Sequence, residues 1–259
     1  MTVLTSEAPN LTKNELFLTQ ETQPELMPEP DISNIIIDDG KPVDNLFSEK
    51  QQRLLTSVAY SSFKLDFPFL ITANVGLFYG VKKPPLVPDV MLSLKVKCPE
   101  DWSEKKNQSY FTWNFGKSPE VAIEIVSNKV GHELDQKLAS YLDAGVAYYI
   151  VFDPLKYLSQ NVLQVYKRGA IRYHLQDNYW LEEINLGLTL WSGEFEGQFW
   201  NQWLRWSDQS GNILLTGDEK VLLEKERADL EKQRADLEKE RADRLAQILK
   251  EQGFDPDNI

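Results

Sequence analysis

Three side chains carry most of the chemistry that this sequence offers. Asp89 follows Pro88 at the head of an apolar segment, VPDVMLSL, Glu124 sits inside EVAIEIV, and Lys137 lies in the helical stretch that comes next. Side chains alternate between the faces of a strand, so Val121, Ile123 and Ile125 share one face and Ala122, Glu124 and Val126 the other. A carboxylate in such company must be paired, protonated or metal-bound, because leaving the ion buried and unpartnered costs roughly several kcal/mol or more. Asp89 meets the same demand less sharply. Two carboxylates converging on one point make a hard-oxygen site suited to Mg²⁺ or Mn²⁺. Such an ion readies a water for attack on a phosphodiester and steadies charge on the phosphoryl oxygens, and Lys137 would add positive charge. The same residues also allow a plain internal ion pair, Glu124 with Lys137, or a surface i,i+4 pair, Glu133 with Lys137.

The elements that must position these groups are legible in outline. Strand patterns cover Leu70 to Tyr79 and Val87 to Val96, separated by Lys83-Pro84-Pro85, and recur at Glu120 to Val126 and Tyr148 to Asp153. Between the last two, Leu134, Leu138, Tyr141 and Leu142 form the apolar stripe of a helix over Gly131 to Ala144, with Gly145 where a left-handed cap is expected. Strand, helix, strand at this spacing predicts a βαβ unit. Upstream, Ile35 to Ile37 closed by Asp38-Asp39-Gly40 reads as a short strand, and Leu54, Leu55, Val58 and Ala59 as the core side of a helix after the polar stretch Ser48 to Arg53. Downstream, Val162 to Lys167, Ile171 to Leu175, Tyr179 to Glu182 and Leu186 to Trp191 read as hairpins. The expected fold class is α/β, a mixed sheet with helices on its faces.

Composition narrows the classes. The chain has 259 residues, 42% of them hydrophobic, enough for one good-sized core. Cys98 is its single cysteine and His132 and His174 its two histidines, which excludes an intramolecular disulfide, a multi-cysteine zinc knot and a histidine-rich metal site. Neither histidine looks catalytic. No apolar run approaches the ~20 residues of a membrane span, and Met1 to Asn10 lack the pattern of a secretory signal, so a cytoplasmic setting is expected. Net charge is −12, the wrong sign for a nucleic-acid partner, but residues 51 to 217 carry only −1 of it. Within that body Lys82 with Lys83, Lys95 with Lys97, and Lys105 with Lys106 are either local phosphate contacts or solvated loop residues. Trp180, Trp191, Trp200, Trp203 and Trp206 crowd its later part as core or interface residues, with base stacking the alternative.

The two ends differ from the body. Residues 1 to 33 read as a disordered acidic arm, too poor in apolar residues to offset chain entropy. At the other end LEKERAD, LEKQRAD and LEKERAD repeat from Leu223 to Asp243. With Leu223, Leu230 and Leu237 at one seam position, Arg227, Arg234 and Arg241 occupy the other, a thin seam for a coiled coil. Residues 218 to 259 are therefore expected to form a long charged helix and tail, either solvated alone or weakly self-associating.

The ordered set Pro88-Asp89, Glu124-Ile125-Val126-Ser127, Lys137, Tyr141, Ala144-Gly145-Val146 and Asp153-Pro154 resembles the Uma2 family (DUF820), assigned to the PD-(D/E)XK nuclease superfamily. The resemblance covers roughly Ile35 to Trp206, and the acidic tail is similar to that of cyanobacterial members. It implies a restriction-endonuclease-like core over residues 34 to 217, a metal-dependent endonuclease acting on DNA phosphodiester bonds, and Asp89 and Glu124 as ligands to Mg²⁺ or Mn²⁺. The superfamily's usual lysine falls at Val126, and Lys137 is taken to fill its role; Gln51 stands where a histidine is frequent. Glu49, Ser127 and Tyr141 are additional candidates. A homodimer stays open as a partner arrangement beside DNA, with no membrane partner. The alternative is a non-catalytic DNA- or protein-interaction module on the same fold, working through the C-terminal helix.

Overall fold

The computed structural model describes residues 45–80, 82–129 and 134–253. The arm over 1 to 33, the strand at Ile35 to Ile37, and His132 and Glu133 lie outside them. Helix α1 (Leu46–Ser62) starts earlier than its apolar stripe suggested, because Asn45 caps it by accepting the Ser48 N–H at 2.8 Å. The polar residues Ser48, Gln51 and Gln52 therefore lie on its buried side with Leu54, Leu55, Val58 and Ala59.

One expected strand divides in two, β1 (Phe69–Ala73) and β2 (Leu77–Phe78). The break falls at Asn74, whose φ of 53° is a left-handed conformation that asparagine tolerates better than most residues. Next come β3 (Val90–Leu94), β4 (Tyr110–Phe111), which pairs with β2 in parallel, and the single turn α2 (Thr112–Phe115). The expected βαβ unit is β5 (Val121–Ile125), α3 (Gln136–Asp143) and β6 (Tyr148–Phe152), its two strands parallel and adjacent. Gly145 ends α3 at φ 81°, as its position predicted, and a Cβ there would meet Ser118 Oγ at 2.9 Å.

With β7 (Leu163–Arg168) and β8 (Tyr173–Leu175) these strands form a six-stranded sheet in the order β1-β3-β5-β6-β7-β8, antiparallel except at β5 and β6. A second sheet joins β9 (Trp180–Leu181), β10 (Leu186–Phe195) and β11 (Gln198–Ser207). The large sheet is buried on both faces. Val121, Ile123 and Ile125 pack with α1 and the second sheet; Ala122 and Val126 pack with Tyr141 and Ala144 of the α3 side. Trp203 and Trp206 are core residues, Trp206 donating its indole N–H to Leu55 O at 3.0 Å. The mixed sheet with helices on its faces, followed by the long helix α4 (Gly217–Glu251), is the architecture that the sequence predicts. No helix among the described residues is long and apolar enough to cross a membrane.

Candidate active site

Strand pairing brings the two carboxylates together. β3 and β5 run antiparallel with Val90 opposite Ile123, and extending that register by one residue sets Asp89 beside Glu124 on the α3 side of the sheet. The contact is direct through the backbone, since Ile125 N–H donates to Asp89 Oδ2 at 2.6 Å. Glu124 is 4% exposed.

Helix α3 supplies two partners of Glu124. Lys137 and Tyr141 are one turn apart and so share a helix face. Lys137 Nζ lies 2.9 Å from Glu124 Oε2, and the Tyr141 hydroxyl donates to Oε1 at 2.5 Å. Burial pushes the Tyr141 phenol well above its usual range, and the charges of Glu124 and Asp89 add to the shift, so it stays a proton donor. Lys137 remains about one-third exposed, which puts its ammonium between the buried carboxylate and solvent.

Asp89 is steered by residues that sequence reasoning missed. Gln52 of α1 donates to Asp89 Oδ1 at 3.0 Å, and Asn74 donates to Gln52 Oε1 at 3.1 Å, so the amide is held with its N–H toward the carboxylate. Asn74 N–H also bonds the Asp89 carbonyl at 3.3 Å. A signal for Gln52 was present: positions 48, 52, 55 and 59 form one helical stripe, and a glutamine on it must find a buried partner. Its neighbour Gln51, in the position where the family resemblance places a histidine, points elsewhere. It clamps the Leu204 backbone, donating to the carbonyl at 2.9 Å and accepting the N–H at 3.0 Å.

Two candidates are not brought to this cluster. Glu49 is exposed and bonds Arg53 at 2.7 Å, and Arg53 reaches Glu196 beyond β10 at 2.6 Å, a surface ion network on another side of α1. Ser127 is exposed just past β5, its hydroxyl 3.5 Å from the Asn128 amide. Val126, where the superfamily lysine is expected, is buried and apolar.

The donor set fits a hard divalent cation. Among the described residues no group of three or more His, Cys, Asp or Glu gathers. Two carboxylates are sufficient for Mg²⁺, which keeps several waters and takes substrate phosphate oxygens for the rest of its shell; among the described residues the cluster holds no histidine or cysteine of the kind that zinc prefers.

Glu124, buried on β5, and Asp89, half-buried just before β3, lie together on one face of a mixed sheet opposite a helix lysine, in an α/β protein. The chain belongs to the Uma2 family, whose description reads "Putative restriction endonuclease" and which matches residues 21–225. Among solved structures it is similar to a crystal structure described as "a putative nuclease belonging to DUF820" from Anabaena variabilis. That similarity is 18% identity and a TM-score of 0.39, over 54% of this chain and 72% of that chain. No curated protein matches the chain.

Proposed function

We propose that this protein is a metal-dependent endonuclease that hydrolyses DNA phosphodiester bonds, with Asp89 and Glu124 as the residues that hold Mg²⁺ or Mn²⁺. The observation that carries the reading is the Lys137–Glu124 contact at 2.9 Å beside Asp89, because it joins two anionic groups and a cation at one end of two interior strands, β3 and β5. A bound divalent ion would supply Lewis-acid activation of a water and of the phosphoryl oxygens. The protein's own part is positioning. Tyr141 and Lys137 set the Glu124 rotamer; Gln52 and Asn74 set Asp89; the Lys137 ammonium, about one-third exposed, faces the space where a phosphate would arrive and balances charge developing there.

The test uses the full chain with Mg²⁺ or Mn²⁺ on supercoiled plasmid and on single-stranded DNA. Cleavage is expected, with Glu124→Gln silent and Lys137→Ala reduced by roughly 10²–10³-fold while circular dichroism stays unchanged. Cleavage that survives in Glu124→Gln overturns the assignment. Absence of cleavage in the wild type under both metals favours the non-catalytic interaction module.

A further inference from the structure

The loop from β6 to β7 is built around a buried carboxylate that the catalytic reading does not use. Asp153 directly follows β6 and is 1% exposed. It accepts the N–H groups of Tyr157, Leu158 and Ser159 at 2.8, 2.7 and 3.3 Å, and its carbonyl accepts the Lys156 N–H at 3.1 Å. Gln164 of β7, also buried, donates to Ser159 Oγ at 2.9 Å and accepts the Tyr166 hydroxyl at 2.6 Å. Two buried polar groups with their bonds made thus hold one exposed turn in a single shape.

That turn lies at the candidate site's end of the sheet and on the same face. β5 and β6 set Glu124 opposite Val151, and β6 and β7 set Val151 opposite Gln164, so the three form one row across adjacent strands. Asp153 stands two residues past Val151, its Cα roughly 8 Å from that of Glu124. Leu158 packs into the same core as Tyr141. What the turn presents outward is a cation, Lys156, between the partly exposed Leu155 and Tyr157. Its φ of 55° is a left-handed conformation uncommon for lysine. Lys156 forms no ion pair among the described residues, and residues 154–161 contain no acid. The acids around it are engaged: Asp89 and Glu124 in the candidate site, Asp135 in capping α3, and Asp153 inside the turn.

We propose that this turn is a substrate-binding element, in which Lys156 takes a backbone phosphate of the DNA strand close to the one that enters the Asp89–Glu124 site. The inference rests on the endonuclease reading and adds a second point of contact to it. A phosphate supplies the counter-ion that Lys156 lacks, and a turn already fixed by Asp153 and Gln164 loses little freedom on binding. Contact away from the reacting phosphate acts on substrate affinity rather than on the chemical step.

The test pairs plasmid cleavage by the full chain in Mg²⁺ with fluorescence anisotropy of a labelled DNA duplex at several salt concentrations, the latter in the Glu124→Gln background. Lys156→Gln should raise KM and weaken duplex binding roughly 3–10-fold, with kcat kept within about twofold. It should also lower the slope of log affinity against log salt by about one, as loss of one phosphate contact does. Lys156→Arg should restore both. Lys97→Gln, which removes the same charge from an exposed position past the other end of β3, should change neither. Unchanged KM and slope in Lys156→Gln, a loss confined to kcat, or an equal effect of Lys97→Gln overturns the contact and leaves the endonuclease reading standing. A chain that cuts no DNA but binds the duplex with a Lys156-dependent slope fails as an endonuclease and keeps the contact; a chain that binds no duplex overturns it.

Discussion

Gln51 and Gln52 are adjacent, chemically identical and both buried, yet they serve different parts of the molecule. One step along a helix turns a side chain by 100°, which sends Gln51 to β11 and Gln52 to Asp89. Their alanine variants should separate accordingly. Gln51→Ala leaves the Leu204 N–H and carbonyl unpaired and should cost about 1–3 kcal/mol in urea unfolding, with cleavage per folded molecule unchanged. Gln52→Ala removes one partner of Asp89 Oδ1 and should lower cleavage about 10–100-fold with a smaller stability loss, as removal of an outer partner of a metal ligand does. The need for a partner at Glu124 was readable from alternation alone. Which groups answer it, and that Glu49 turns to Arg53 instead, follow from how α1 and α3 are rotated against the sheet, and that rotation is a packing outcome.

The attachment of α4 is a property of elements rather than single contacts. Arg205 is fully buried on β11 and reaches both oxygens of Glu219, at 3.0 and 2.7 Å, while Glu219 and Thr216 complete a capping box. Burial alone would raise the Glu219 carboxyl, but the Arg205 hydrogen bonds and charge and the Thr216 N–H hold it below its ordinary value. A depressed carboxyl contributes stability that is present above the unfolded glutamate pKa of about 4.3 and is lost as pH falls through the folded value. The protection of the Val221 and Leu222 amides against hydrogen exchange, referred to the intrinsic rate at each pH, should therefore fall in acid before the sheet unfolds. Arg205→Ala should weaken this pH dependence and destabilise the protein by about 1–3 kcal/mol, since it leaves the partly exposed Glu219 without its cation but with its Thr216 bonds. The helix itself was visible in the heptads; its anchor was not, because Arg205 and Glu219 belong to segments with no shared periodicity.

Across the whole molecule, one sheet separates two cores, and the α3 side is rich in buried tyrosine. Tyr110 is bonded to Ser93 at 2.8 Å, and burial pushes its phenol up to about 12; Tyr173, bonded to the Val146 carbonyl at 2.8 Å, is shifted up for the same reason. A raised phenol contributes stability that is intact below the unfolded tyrosine pKa of about 10 and is lost as pH climbs through the folded value, because the unfolded chain ionises first. Alkaline titration followed by circular dichroism should show cooperative unfolding between about pH 10 and 12, moved to higher pH in Tyr110→Phe. Unfolding at the same pH in Tyr110→Phe as in the wild type would contradict this account.

By itself the sequence determined the quantities that depend on near neighbours. Alternation assigned Glu124 to the face opposite Ile123, helical spacing put Lys137 and Tyr141 on one side of α3, and Gly145 marked that helix's end. Tertiary structure alone decided the rest. β11 went unread because its last five residues are all buried, a run without alternation produced by the second sheet packing on the first. The Gln52–Asn74 support of Asp89 joins α1, the break after β1 and the start of β3, and only the folded chain brings those three segments within hydrogen-bond reach.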